Sequence, residues 1–364
     1  MRGIFRRLII LLIITLFASS ISYGENPKYD ILEPYMKVMA ADDEFLWAAG
    51  GSGEDFMKIL YKSSDYGESW SLVHRFNKPI EGLHISSNDI IFVSISDNRY
   101  SEDANCEIWR STTRGSYFLK VLDLESGAAT NWNFASDDEG YVFISEYGIK
   151  SGNNARRIYR SNNNGIKFQV IYDPGPILGY HNHIIRIDKN NNNIIYQSIG
   201  DDSKFIIRST DRGNTWSSVI ENYHPTSMIQ IDYKILWGLD NFPCSGVLRY
   251  DTDTMLLDYS LITPKPYGGS IYDMLYVDGI IYAGTMSYEY DNWEATIFTS
   301  NDKGLSWENY IAIPRCDNIG VGIYSIVSQG EYIYAWVSMP IEENGVMKKY
   351  QGSIRFTKIG KRDK

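Results

Sequence analysis

The sequence is short of cysteine, of positive charge and of long apolar runs, and each shortage removes a class of protein. Cys106, Cys244 and Cys316 are too few for a small disulfide-built scaffold. They allow one bridge with one thiol left over, and the sequence does not choose the pair. Their spacing fits no zinc motif, so no metal is read into them. Against 35 Lys and Arg stand 45 Asp and Glu, a net charge of −10. Such a chain repels phosphate backbones, which argues against a nucleic-acid partner. Beyond the N-terminus no apolar stretch approaches the ~20 residues of a spanning helix. No segment keeps a 3.6-residue apolar period for more than a turn or two.

What is present begins with a leader. Arg2, Arg6 and Arg7 precede an apolar run from Leu8 to Ala18, and small residues follow up to Gly24. This is the order of a secretory signal peptide. Residues 1–24 are therefore expected to be the signal and 25–364 a single domain, with an uncleaved anchor as the rival. Without the three arginines the balance is 32 basic against 45 acidic side chains, a net of −13. The reading implies a secreted, cell-surface or periplasmic monomer with no membrane span after cleavage.

The strongest signal is an internal repeat. The pattern Ser-x-Asp-x-Gly-x-x-Trp occurs at Ser63–Trp70, Ser209–Trp216 and Ser300–Trp307. Looser copies start at Ser111, with Thr113 and Phe118, and at Ser161, with Asn163 and Phe168. The steps from 63 to 111, 161 and 209 are 48, 50 and 48 residues. Two more units keep strands without the turn, at Val247–Asp251 and Ser353–Phe356. Seven units over residues 25–364 fit that step. Short runs such as Ile194–Ser198 and Ile280–Gly284, β-branched and aromatic between polar breakers, read as strands.

The turn residues have physical reasons. Asp accepts hydrogen bonds from backbone N–H groups a few residues on. Gly takes a positive φ without steric cost. The closing Trp or Phe anchors the turn between sheets. The turns with Asn163 and Thr113 should be looser but intact. The expected fold is all-β, a seven-bladed propeller of four-stranded antiparallel blades. The last unit ends after its third strand, and Lys28–Leu32 offers the fourth, which would close the ring.

These turns resemble those of the BNR/Asp-box repeat proteins, which share the sialidase-like propeller. The resemblance covers the whole of residues 25–364. It implies that Asp65, Trp70, Asp211, Trp216, Asp302 and Trp307 are structural and lie away from the ligand face. It does not extend to sialidase chemistry. That activity would need an Arg-Ile-Pro motif and an arginine clamp, whereas Arg157-Ile158 and Arg186-Ile187 run on into Tyr159 and Asp188. Arg110, Arg160, Arg208 and Arg249 at strand ends, with Arg114 and Arg212 in the turns, read as solvated or blade-bridging charges.

A propeller's ligand face is built from first-strand starts and second-strand ends. First-strand starts carry His84, Asn131, Asn133, His181, His183, Tyr272 and Asp273; second-strand ends carry Asp97, Glu146, Asp201 and Asp240. His181 and His183 stand two apart on a strand and so share a side. They suit an acid–base pair or, with a carboxylate, a metal site; equally they suit polar filling of a wet channel. The catalytic candidates are thus Glu146, His181, His183 and Asp201, with no cofactor and no metal expected. Tyr288, Tyr290 and Trp293, interleaved with acids, suit sugar stacking. Tyr100–Asp103 and a Met339–Tyr350 loop are expected to widen the same rim.

Three functions remain open. The first is a non-catalytic binder of glycan or surface polysaccharide. The second is a carbohydrate-active enzyme, either glycoside hydrolase or polysaccharide lyase. The third is a protein-assembly scaffold.

Overall fold

The computed structural model describes residues 29–97, 105–125, 127–148, 156–175, 180–201, 203–240, 245–263, 269–287, 294–315, 320–343 and 346–360. The leader, Cys244, Cys316, Tyr100–Asp103, and Tyr288, Tyr290 and Trp293 lie outside them.

The Ile-, Val- and Tyr-rich runs form seven antiparallel sheets in chain order. Blade 1 runs from Lys37–Ala41 to Ser71–Arg75 and blade 2 from Ile80–Ile85 to Leu119–Asp123. Blade 3 spans Phe134–Ser136 to Gln169–Tyr172, and blade 4 Tyr180–Asp188 to Ser217–Glu221. Blade 5 runs from Pro225–Ile231 to Leu257–Ile262 and blade 6 from Ser270–Val277 to Glu308–Ile313. Blade 7 has Gly322–Gln329, Tyr332–Glu343 and Val346–Thr357, and takes its outer strand, Asp30–Ile31, from the N-terminus. A single bridge, Met286 to Gly322, joins blades 6 and 7. Among the described residues the helical elements are two 3-10 turns, Gly53–Asp55 and Asn131–Asn133.

Ring closure follows the expected strand pairing over a shorter stretch. Asp30 pairs with Arg355 and Ile31 with Ile354. Leu32 N–H extends the ladder to the Ser353 carbonyl at 2.9 Å. The Arg355 guanidinium then grips Asp30 at 3.0 Å and Glu68 at 2.6 Å, tying blade 7 to blade 1.

The apolar core is divided among the blade interfaces. Seven buried clusters each draw on two neighbouring blades, from Trp47 with Leu83 between blades 1 and 2 round to Val38 with Tyr334 between blades 1 and 7. A side chain such as Trp47 or Trp237, essentially fully buried, contributes about 1.5–3 kcal/mol by leaving water.

The Asp-box turns lock those interfaces. In each intact box the Ser hydroxyl donates to the Asp carboxylate and accepts the Gly N–H, at 2.7 and 2.8 Å for Ser63. The carboxylate then accepts a backbone N–H and a hydroxyl four residues on: Ser69, Thr215 or Ser306. Asn163 and Thr113 each receive the backbone N–H, from Lys167 at 3.1 Å and Tyr117 at 2.9 Å. Those two turns keep the same loop but lack the hydroxyl bond from the residue four on. The residue before Gly and Gly itself both have positive φ, as with Tyr66 at 60° and Gly67 at 88°. That is the requirement of a type I′ turn. A Cβ on Gly165 would also lie 2.3 Å from the Phe92 ring of the preceding blade. Conformation and packing therefore both demand glycine there.

Several arginines bridge blades as expected. Arg110 donates to the Asn164 carbonyl at 2.6 Å and Arg160 to the Arg212 carbonyl at 2.6 Å. The expected Met339–Tyr350 loop is instead the far half of a long hairpin, with pairing continuous from Tyr332–Thr357 to Glu343–Val346. Cys106 is a buried free thiol, and burial pushes its ionisation up.

Candidate functional site

Strands 1 and 3 of each blade run in one direction and strands 2 and 4 in the other. The Asp-box turns, between strands 3 and 4, therefore lie on the face where first strands end. The opposite face is made of first-strand starts and second-strand ends, and a cleft of about 420 Å³ opens there.

The cleft owes its lining to a repeated irregularity. First strands of six blades shift register near their starts, between Ile80 and Gly82, Ile271 and Asp273, and Ile323 and Ser325 among others. A bulge adds one unpaired residue and re-aims its side chain. The inserted residues here include Glu81, Tyr272 and Tyr324, and all three line the cleft. In blade 3 the 3-10 turn does the same for Trp132.

Five half-buried rings form a continuous wall. Trp132 meets Tyr147 edge-on at 5.6 Å and Tyr272 at 5.4 Å. Tyr272 meets Tyr324 at 5.8 Å, and Tyr324 meets Trp336 at 5.0 Å. The Lys37 ammonium lies 4.5 Å over the Trp336 ring. Each ring keeps one side packed and one side on the cleft, with Lys37, Lys349 and Glu81 supplying charge.

Trp132 is held by its two neighbouring amides, Asn131 half-buried and Asn133 fully buried. Asn131 accepts Leu83 N–H at 2.9 Å and donates to the Met39 carbonyl at 2.8 Å, joining blades 1 and 2. Asn133, fully buried, caps Thr130 and donates to the His183 carbonyl at 2.6 Å and to Ser145 at 3.0 Å. From below, Arg186 donates to the carbonyls of Trp132 and Phe134 at 3.0 and 3.2 Å. Amides satisfied on both sides fix a geometry.

The predicted catalytic residues are placed differently. Glu146 is wholly buried; its carboxylate accepts the N–H groups of Arg156 and Arg157 and the Tyr159 hydroxyl, at 3.2, 3.0 and 2.8 Å. It ties off blade 3 below the cleft. His181 and His183 do share a side, with their Nε2 atoms 2.8 Å apart, but both are at least 95% buried. Tyr147, part of the cleft wall, stands edge-on to His181 at 5.2 Å, and neither histidine lines the cleft. The His224 ring packs on His183 at 5.4 Å. Asp201 ends its strand paired with Tyr180. Among the described residues no group of three or more His, Cys, Asp and Glu could hold a metal.

The other candidates scatter. Asp97 is exposed, 3.8 Å from Lys78, and Asp240 accepts the Ser270 hydroxyl. His84 and Asp273 line a second axial cavity, also about 420 Å³, on the Asp-box side. Asn131, Trp132 and Ser325 border both cavities.

The comparisons with known proteins agree on architecture. The structure of YCF48 bound to a D1 peptide superposes with a TM-score of 0.59 at 13% identity, over 92% of this chain and 97% of that one. The chain is similar in fold to YCF48. YCF48 from Cyanidioschyzon merolae gives 0.55 at 13% identity, covering 91% and 98%. A streptogramin B lyase structure gives 0.61 at 12% identity, covering 91% and 97%. At these identities the likeness is one of fold, a β-propeller of four-stranded antiparallel sheets. No protein-family model and no curated protein sequence matches the chain.

Trp132, Tyr147, Tyr324 and Trp336 were not singled out by sequence reasoning. Tyr147, directly after Glu146, sat in view at a second-strand end. Tyr324 and Trp336 carry no signal beyond strand composition, because a bulge leaves no mark in a single sequence.

Proposed function

We propose that this protein is a secreted, non-catalytic binding propeller that seats a glycan in the aromatic cleft. The wall of five half-buried rings carries the reading. Sugar rings present C–H faces that stack on aromatic rings, while their hydroxyls need amide, hydroxyl and charged partners. Asn131, Ser287, Gln351 and Glu81 line the same space. About 420 Å³ suits one or two sugar units and falls within the usual range of small-molecule pockets.

Catalysis is disfavoured by the position of its candidates. Glu146 has its carboxylate spent on two backbone N–H groups and a phenol, and His181 and His183 are bonded to each other behind Tyr147. Secretion rests on the Arg2–Gly24 leader pattern.

A scaffold reading, with an extended peptide in the cleft, is favoured by one observation: the propeller is similar in fold to YCF48, which was solved with a D1 peptide. Calorimetric titration with oligosaccharides and with extended peptides separates the two. Saturable sugar binding that Trp336→Ala removes supports the glycan reading. Peptide binding alone supports the scaffold.

A further inference from the structure

We propose that the axial cavity on the Asp-box side is a second ligand site, which takes a small organic carboxylate on Arg186. The cavity lies at the opposite end of the ring from the cleft, below Trp132. Nothing in the glycan reading uses it.

Arg186 comes from the first strand of blade 4. Its Nη1 is spent on the carbonyls of Trp132, Phe134 and Ile185, the last at 2.8 Å. Those bonds fix the guanidinium plane. Among the described residues no acceptor engages Nε or Nη2, and the side chain lines the cavity. A guanidinium so held presents a preformed fork of donors, the geometry that a carboxylate matches. Burial draws Arg186 down to about 10, so it stays charged at physiological pH.

The rest of the wall defines the ligand. Leu83, Met274, Ile326 and Val327 supply apolar surface for a short hydrocarbon body. His84 is neutral: burial, then the nearby Arg186 charge, holds it near 3, and its Nε2 bonds Ser136 at 2.8 Å. Asp273 faces the same space without forming an ion pair to Arg186 among the described residues. Its oxygens accept Met274 N–H at 2.9 Å and Ile326 N–H at 2.7 Å. Burial raises its ionisation to about 6, against the pull of those bonds and of Arg186. Among the described residues Arg186 and His84 are the other charged or titratable side chains facing this cavity. The strand segments of blades 1 and 7 that line it, Met39–Ala41 and Ser325–Ser328, bring none.

The cavity therefore carries one cation and one titrating carboxylate. With Asp273 protonated the net charge is +1 and a carboxylate is welcome. With Asp273 ionised the net charge is zero and the attraction for an added anion is largely cancelled. Affinity should rise on acidification through about pH 6.

Benzoate is the probe, titrated calorimetrically into the full-length protein at about pH 7.5 and pH 5, with acetate and inorganic phosphate alongside. Saturable binding is expected, about tenfold tighter at pH 5, tighter for benzoate than acetate, and weakest for phosphate. Asp273→Asn should raise benzoate affinity about tenfold at pH 7.5 and abolish the pH dependence. This is a gain of binding, which misfolding cannot mimic. Arg186→Met should abolish binding, whereas Trp336→Ala, in the cleft alone, should leave it unchanged. No saturable benzoate binding at pH 5, or an Asp273→Asn protein that melts normally yet binds no better at pH 7.5, overturns the proposal. Preference for phosphate over benzoate overturns the carboxylate assignment.

Discussion

His181 and His183 place their Nε2 atoms 2.8 Å apart, so one ring donates and the other accepts. His-x-His is thus a buried polar strut. It lies behind Tyr147 and beneath the amide of Asn133, which grips the His183 carbonyl.

Replacing both histidines by Ala should therefore lower stability by about 2–4 kcal/mol, through lost packing and hydrogen bonding. Urea unfolding measures it. The packing also explains Gly200, since a Cβ there would lie 2.4 Å from His183 Cε1 and 2.9 Å from His224 Nδ1. Gly200→Ala should destabilise by about 1–3 kcal/mol. A double-histidine variant with an unshifted urea midpoint would remove the strut role.

Acid should loosen the box turns. The carboxyls of Asp65, Asp211 and Asp302 are all held near 2. For Asp65 the Ser69 hydroxyl leads, and for Asp211 the Thr215 N–H. For Asp302 burial acts the other way and is outweighed by hydrogen bonds from Ser306 and Ser300. A depressed carboxyl contributes stability that is present above its unfolded value near 3.8 and is lost as pH falls through 2. Asp273 has the opposite sign: its raised value makes stability fall as pH rises from about 4 through 6. Urea midpoints between pH 2 and 7 should show both limbs. Asp65→Asn should flatten the acid limb, and Asp273→Asn the upper one.

The glycines of the turns separate conformational strain from crowding. Gly53 has φ of 58° with nothing within 4 Å of an added Cβ, so Gly53→Ala should cost about 1 kcal/mol. Gly165 has φ of 73° and the Phe92 ring 2.3 Å away, so Gly165→Ala should cost about 2–4 kcal/mol. Equal losses of stability would show that interface crowding at the box is negligible.

Ring closure should depend on one arginine. Arg355 bonds Asp30, Glu68 and the Tyr66 carbonyl, and lies 4.8 Å over the Tyr332 ring. Arg355→Ala should cost about 1–3 kcal/mol, more than one surface ion pair is worth. Hydrogen exchange should quicken first at Asp30–Leu32 and in blade 7. Exchange that quickens evenly round the ring would contradict this.

The ring itself was legible because each box writes its blade into the sequence: Ser, Asp, Gly and an aromatic at fixed offsets, for stated bonds. Closure was legible because a missing strand and a spare one had to meet. The site was legible only in part. Face and blade positions led to Tyr272, Asn131 and Asn133, and to a histidine pair that does share a side. The bulges that turn Glu81, Tyr272 and Tyr324 into the cleft depend on register, which a single sequence does not encode locally. The partners of Glu146 were equally out of view: the backbone N–H groups that its carboxylate accepts belong to Arg156 and Arg157, just before the third strand of blade 3.

The most direct test is calorimetric titration of oligosaccharides, neutral and acidic, into wild type, Trp132→Ala, Trp336→Ala and His181→Ala. The account predicts saturable binding without turnover, weakened about tenfold or more by each tryptophan change and retained in folded His181→Ala. Sugar turnover that His181→Ala abolishes, or binding indifferent to both tryptophans, would contradict it.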